Sequence, residues 1–222
     1  MSSVGLFDNC GNGVVVAHAL PSVKQRFDSD FAAPTFDASW RLRSRTEKCL
    51  ITHVHTFIIQ HYLKTRPAVV TLVLRMLVDD VPVGMAVYSM PHKGIDKKYG
   101  GSTWELARLF IADSVPKNSE TWLIAASVRY IKKHHPQVRF LCSYADPSAG
   151  HSGTIYKAAN WKFDGMTDEG RKTPRFNFVD TSTGKKYDRA GRWPTGAPIA
   201  RLPRVSKYRF VYALPPQGVS GE

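Results

Sequence analysis

The stretch TWELARLFIADSVPKNSETWLIAASVRYIKKHHPQVRFLCSYADP, Thr103 to Pro147, decides the fold. Thr103–Ala112 alternates as a strand does. Asn118 or Ser119 then caps a helix to His135, with Leu123, Ile124, Val128 and Ile131 on its apolar side. Val138–Tyr144 is a short apolar run of the buried-strand type. A strand, a helix and a second strand make an α/β unit. Upstream, Val69–Leu77 and Val81–Tyr88 flank the turn signal Val78-Asp79-Asp80, which predicts a hairpin. Residues 45–65 predict a helix, because Leu50, Val54, Phe57, Ile58 and Leu63 recur at helical spacing before Pro67. Residues 1–44 mix Gly, Pro, Asp and Ser with pieces such as Val14-Val15-Val16, and read as an irregular wrap with one short strand. Downstream, Gly153–Ala159 predicts a short helix ending near Asn160, and Ser206–Ala213 a last strand. The segment between, about 162–209, reads as basic and loop-rich. The expectation is one α/β domain over residues 1–222 built on a mixed sheet, since smaller pieces would make poor cores.

Charge then narrows the function. The chain has 31 Lys+Arg against 18 Asp+Glu, a net charge of +13. A polyanionic partner, nucleic acid before an anionic membrane, suits that balance. The excess is concentrated: Lys157–Arg209 holds 13 basic and five acidic side chains, interleaved with Phe176, Phe178, Tyr187, Trp193 and Tyr208 and followed by Phe210. Cations neutralise phosphates while flat rings stack on unpaired bases, so the mixture suits a strand whose base is flipped out. The DNA-facing candidates are Arg171, Lys172, Arg175, Lys185, Lys186, Arg192, Arg204 and Lys207. No apolar run reaches the ~18 residues of a spanning helix. The N-terminus does not read as a secretory leader, and Cys10, Cys49 and Cys142 are odd in number and far apart, so a reduced cytoplasmic protein is expected.

Three places break the local pattern. By the period of two, Trp104, Leu106, Arg108 and Phe110 share one face of their strand, which sets a guanidinium among apolar groups and calls for a carboxylate or phosphate partner. Glu105 falls on the opposite face and is the lesser candidate, although it or Asp113 can supply a structural ion pair. Ser143-Tyr144-Ala145-Asp146-Pro147 leaves a strand and enters a loop with Gly150 and Gly153, at the carboxyl end where open α/β sheets form their sites. Asp146, fixed by Pro147, suits an acceptor for an exocyclic amine; Asp-Pro is also an ordinary turn. His61-Tyr62 ends the first helix. As metal ligands only His53 and His61, eight apart, share a face, and a charged histidine at a helix C-terminus explains His61 equally well.

His61-Tyr62, Trp104-Glu105-Leu106-Ala107-Arg108-Leu109, the Ser143–Pro147 block and Gly150-His151-Ser152-Gly153-Thr154-Ile155-Tyr156-Lys157-Ala158-Ala159-Asn160-Trp161 together resemble the Mom family of phage DNA-modification proteins. The resemblance covers about residues 45–165. It implies a GNAT-like acyltransferase fold, with a mostly antiparallel central sheet flanked by helices. It also implies conversion of DNA adenine to N6-carbamoylmethyladenine, which protects phage DNA from restriction in the host cytoplasm. The residues implicated in activity fall on His61, Tyr62, Arg108, Asp146 and Tyr156, with a hydroxyl at Ser119 or Thr121 on the donor side. Iron is a further implied cofactor, and a homodimer is left open.

One departure bears on the donor. The connection Asp113-Ser114-Val115-Pro116-Lys117-Asn118-Ser119-Glu120 lacks the glycines with which GNAT enzymes cradle a pyrophosphate, and Glu120 adds an anion there. Glycyl-tRNA is therefore the expected donor over acetyl-CoA. In this reading double-stranded DNA lies on the basic segment, Tyr62 or Tyr144 stacks on the flipped adenine, and Asp146 orients N6 and takes its proton. Tyr156 protonates the leaving oxygen or thiolate, while Arg108 holds the donor. The alternatives are an acetyl-CoA-dependent acetyltransferase acting on a protein or small molecule, and a non-catalytic DNA-binding protein.

Overall fold

The computed structural model describes residues 36–187 and 191–215. The wrap read over residues 1–44, Val14–Val16 included, lies outside the described residues up to 35. The elements follow in chain order. Strand β1 (Ser44–Lys48) leads into a 3-10 turn (Ile51–Val54) and helix α1 (His55–Gln60). The hairpin β2 (Val70–Val78) and β3 (Val81–Ser89) precedes helix α2 (Lys93–Lys98). Strand β4 (Thr103–Ile111), helix α3 (Ser119–His134) and strand β5 (Phe140–Ala145) form the crossover. A 3-10 turn (Pro147–Ala149), helix α4 (Thr154–Ala158) and strand β6 (Lys162–Met166) come next. They are followed by β7 (Phe176–Asp180), β8 (Lys186–Tyr187), β9 (Ile199–Pro203) and β10 (Tyr208–Ala213).

Among the described residues seven strands form one sheet in the order β1-β2-β3-β4-β5-β10-β6; β7, β8 and β9 form a second, with β7 central. In the large sheet β4 and β5 run parallel and the other pairs antiparallel, so the α/β expectation of a mixed, mostly antiparallel sheet flanked by helices holds. The hairpin turns at Asp79 and Asp80, both with positive φ, as a tight turn between right-twisted strands requires. Leu72, Leu74, Met76 and Val78 alternate from β2 into the main core under α3, against Leu123, Ile124, Val128 and Ile131. On the other face Val73, Met85 and Val87 meet Val54, Phe57 and Ile58. Burying Phe57 and Ile58, 2% and 3% exposed, contributes about 1.5–3 kcal/mol each and fixes α1 on the sheet.

Several sequence readings change here. Residues 45–65 are not one helix: 44–48 pair with β2 as an edge strand, with Glu47 bonded to Arg75, and α1 keeps only His55–Gln60. The stretch 162–209 is not mainly loop, for it holds β6, the three-stranded sheet and the start of β10. Strand β4 does not keep one alternation. Val87 pairs with Arg108 but Tyr88 pairs with Leu106, so Ala107 is a bulge. Trp104 and Leu106 therefore face the main core, whereas Phe110 faces the α1 side, stacked on Phe57 at 5.5 Å. Arg108 goes with Phe110.

Candidate active site

The large sheet opens where β4 and β5 part. These parallel strands pair at only three positions, ending at Glu105 opposite Cys142. Beyond that point a cavity of about 560 Å³ forms between them, the size range of small-ligand sites. Its walls combine His61 and Tyr62 after α1, Glu105–Ile111 of β4, Ser143–Ala145 of β5, and Gly150–Tyr156 before and within α4; Lys207, Asp113 and Glu120 complete it. The residues read from three separate motifs thus meet in one place.

Each wall residue has a local cause. The bulge leaves the Ala107 carbonyl without a ladder partner, and Arg108 Nη1 donates to it at 2.6 Å. Arg108 also donates from Nε to the Thr65 carbonyl at 2.9 Å and from Nη2 to Thr65 Oγ1 at 3.1 Å. Among the described residues no carboxylate forms an ion pair with the guanidinium, so the structural pair with Glu105 or Asp113 is not made. His61 is 8% exposed, and its Nδ1 accepts from the Leu63 N–H at 3.1 Å, which leaves Nε2 as the protonated nitrogen of the neutral ring. Burial first, then the charges of Arg108 and His151, push its pKa down to about 4, so the ring stays neutral at pH 7. Tyr62, 43% exposed, lies between His61 and His151 with centroid distances of 4.5 and 5.0 Å. Tyr144 is half-buried on the wall, and burial raises its phenol.

Two carboxylates are placed differently from the sequence reading. Glu105, the lesser candidate, lines the cavity on the side of Arg108. Burial raises its pKa, with Arg108 and Lys207 opposing, and its carboxylate makes no hydrogen bond to a described residue. The period of two carried across Ala107 is what hid it. Asp146 stands just beyond the wall. Its Oδ1 accepts from Ser148 N at 3.0 Å and from Ser148 Oγ at 2.5 Å, capping the 147–149 turn, and Lys207 Nζ lies 2.9 Å from Oδ2. Burial works against that charge, but the bonds from Ser148 and Lys207 outweigh it and hold the carboxyl below its usual range. Lys207 is thus tied to this site rather than to a solvated basic face.

Tyr156 is buried on the α4 side, its ring stacked on Phe210 at 5.3 Å, and burial lifts its hydroxyl to about 12 against a hydrogen bond with Ser143. Gly153, φ +80°, starts α4 directly against Phe210, where no side chain fits. Ser119 and Thr121 do not reach the cavity. Ser119 is fully buried, bonded to the Pro116 carbonyl, and Asn118 before it has φ 70° with no side-chain cap. Glu120 and Asp113 do line the cavity at this end.

The iron expectation does not fit these residues. Among the described residues no group of three or more His, Cys, Asp and Glu side chains can hold an ion. His53 is exposed, and Nδ1 of His61 is taken by Leu63. Cys49 and Cys142 are free thiols. No helix among the described residues is long and apolar enough to cross a membrane.

The basic candidates cluster on the smaller sheet and its flanks. Lys172, Lys185, Lys186 and Arg204 are exposed, while Arg171 and Arg175 lie 3.7 and 3.3 Å from Asp168. Arg192 is exposed beside Trp193, whose ring lies 5.1 Å from Phe178. Thr167 N donates to the Lys207 carbonyl and Lys207 N to Thr167 Oγ1, each at 3.0 Å, so the excursion 168–206 leaves and rejoins the large sheet beside the cavity.

Solved structures with a similar chain path include a GNAT family acetyltransferase from Elizabethkingia anophelis with acetyl-CoA bound (TM-score 0.48, 8% identity, 78% of this chain and 99% of that one). An aminoglycoside acetyltransferase in complex with coenzyme A and kanamycin is another (TM-score 0.48, 12% identity, 77% and 94%). In sequence, the methylcarbamoylase Mom of Escherichia phage Mu is 36% identical over 61 residues, 28% of this chain and 25% of that protein's length. The model of the Mom protein family matches residues 50–218, which takes in every wall of the cavity, and the chain belongs to that family.

Proposed function

We propose that the chain is a DNA-modifying transferase that acylates adenine N6 on the way to N6-carbamoylmethyladenine, and so protects phage DNA from restriction in the host cytoplasm. The observation that carries the chemistry is the cavity at the β4–β5 parting, with a half-buried carboxylate in its wall that bonds no described residue. A protein that only gripped DNA has no use for such a group, which is unfavourable to bury. Family membership supports DNA as the substrate class.

The target adenine enters from the His61–Tyr62 side and stacks on Tyr62 or Tyr144. Neutral His61 offers Nε2–H as a donor toward a ring nitrogen. Glu105, made more basic than an ordinary carboxylate by its burial, takes the N6 proton as N6 attacks the acyl carbon. Tyr156 on the opposite side gives its hydroxyl proton to the departing oxygen. Arg108 holds the donor carbonyl through a guanidinium fixed by Thr65 and Ala107. Asp146 orients Lys207 and the 147–153 loop rather than taking a proton itself. The acyl donor is glycyl-tRNA, because glycine carries the atoms that the product requires. Double-stranded DNA lies on the exposed cations of the smaller sheet.

Nucleosides from cells expressing the chain test this by mass spectrometry. N6-Glycyladenine and N6-carbamoylmethyladenine are isomers, so retention against synthetic standards separates them. DNA with unmodified adenine throughout would refute the reading.

A further inference from the structure

Two hydroxyl chains of the same make lie in the core. In one, Tyr88 Oη and Ser127 Oγ are 2.6 Å apart, and Ser127 donates to the Ile124 carbonyl at 2.8 Å. In the other, Ser143 Oγ lies 2.8 Å from Tyr156 Oη and 2.8 Å from the Leu106 carbonyl. All four side chains are buried, but only Ser143 and Tyr156 line the cavity. The Leu106 carbonyl is available because the β4–β5 ladder ends one residue earlier, at Glu105 and Cys142. Ser143 carries one hydroxyl proton and has two oxygens in reach. A carbonyl only accepts, so while Ser143 donates to Leu106 its oxygen accepts from Tyr156.

We propose that Ser143 is a positioning residue for Tyr156, a one-proton switch that turns from acceptor to donor when the tyrosine gives up its proton. The inference rests on the acyl-transfer reading above. In the step, the Tyr156 hydroxyl turns from Ser143 to the leaving oxygen of the donor; its O–H bond breaks, an O–H bond forms on that oxygen, and the bond from that oxygen to the acyl carbon breaks as N6 bonds to the carbon. Rotation of the Ser143 hydroxyl moves its hydrogen from the Leu106 carbonyl to the phenolate. The phenolate needs this donor. Its ring lies among apolar neighbours, Trp161 at 5.5 Å and Phe210 at 5.3 Å, and Ser143 makes the hydrogen bond that offsets burial. After turnover the sequence reverses as Tyr156 regains a proton. Ser127 has no such role, because Tyr88 does not line the cavity.

Ser127 therefore supplies the control. DNA is taken from cells expressing wild type, Ser143→Ala, Ser143→Thr and Ser127→Ala at matched levels of folded protein. Ser143→Ala is expected to lower the modified-adenine yield about 10- to 100-fold, the worth of a hydrogen bond to a charged group. Ser127→Ala, which removes the same kind of buried bond, leaves the yield unchanged, and Ser143→Thr restores most of it. Equal losses in the two alanine variants, or none in Ser143→Ala, would overturn the proposal. A second measurement needs no turnover: a fluorotyrosine placed at 156 is titrated by fluorine NMR. Ser143→Ala should raise its midpoint by about one to two pH units, with Ser127→Ala without effect. An unmoved midpoint overturns the switch. Wild-type DNA free of modified adenine would refute the adenine reading alone, since the fluorine titration still decides whether Ser143 and Tyr156 are coupled.

Discussion

Replacing Glu105 by Gln and Asp146 by Asn separates two carboxylates that differ in what already holds them. Glu105 lines the cavity, and its carboxylate makes no hydrogen bond to a described residue. In its proposed role as the base it would be worth about 10²–10⁴ in rate, so Glu105→Gln should lower the modified-adenine yield by about 100-fold or more. Gln has the same shape without a charge to bury, so the fold should lose less than about 1 kcal/mol or gain stability. Asp146→Asn keeps an oxygen for both Ser148 bonds and loses the charge facing Lys207. That pair is partly open to solvent, with side chains 26% and 12% exposed, so its loss is about 1 kcal/mol. Yield should then fall by about tenfold or less, the consequence of a loosened Lys207. Asp146→Ala removes the turn cap as well, about 1 kcal/mol more, so its effect on yield mixes chemistry with loop disorder. Urea unfolding of each purified variant, set beside nucleoside mass spectrometry, gives both axes. An active Glu105→Gln beside an inactive, fully stable Asp146→Asn would refute this division and return the proton to Asp146.

Other outcomes follow from the same geometry. Gly153→Ala puts a Cβ into the Phe210 ring at φ +80° and should destabilise by about 2–5 kcal/mol in urea unfolding; a loss below 1 kcal/mol would mean that α4 can shift. His61, at about 4 when folded and 6.5 when unfolded, stabilises the fold fully above pH 6.5. That contribution, on the order of 1–3 kcal/mol, is lost as the pH falls from 6.5 toward 4, because the unfolded chain then binds a proton that the folded one refuses. His61→Phe should flatten stability against pH in that window, and an unchanged slope would assign it elsewhere. Neutralising Lys172, Lys185, Lys186 and Arg204 together should weaken duplex binding and reduce its log–log salt slope by up to about four. An unaltered slope would move the DNA face off the smaller sheet.

Much of the frame was legible because burial writes periodicity into a sequence. The β2–β3 hairpin shows in its β-branched runs and Asp79-Asp80; α3 shows in Leu123, Ile124, Val128 and Ile131. Strand β1, SRTEK, carries no such signal, since an edge strand held by Glu47–Arg75 and Arg45–Asp80 pairs has charges where a core strand has methyl groups. The smaller sheet escaped for a related reason: its strands have five, two and five residues, too few to set a period. In the candidate site, His61, Tyr62, Arg108 and Tyr156 were identified as chemistry-bearing residues and do line one cavity. Glu105 was set on the face opposite Arg108 because Ala107 gives no sign in sequence that the alternation breaks there. Ser119 was misplaced because a hydroxyl at a helix start reads the same whether it faces solvent or, as here, a carbonyl in the core.

The closed stem at Thr167 and Lys207 has a consequence for how such a chain varies. Because both ends of the excursion are fastened to each other, what lies between can lengthen, shorten or change its charges without passing strain into β6 or β10. Under the function proposed above, reaction and address are thereby uncoupled: substitutions that retune which duplex is gripped are expected between residues 168 and 206, and those that retune the transfer on β4, β5 and α4. An exchange of the first between relatives should carry target preference with it and leave the chemistry behind.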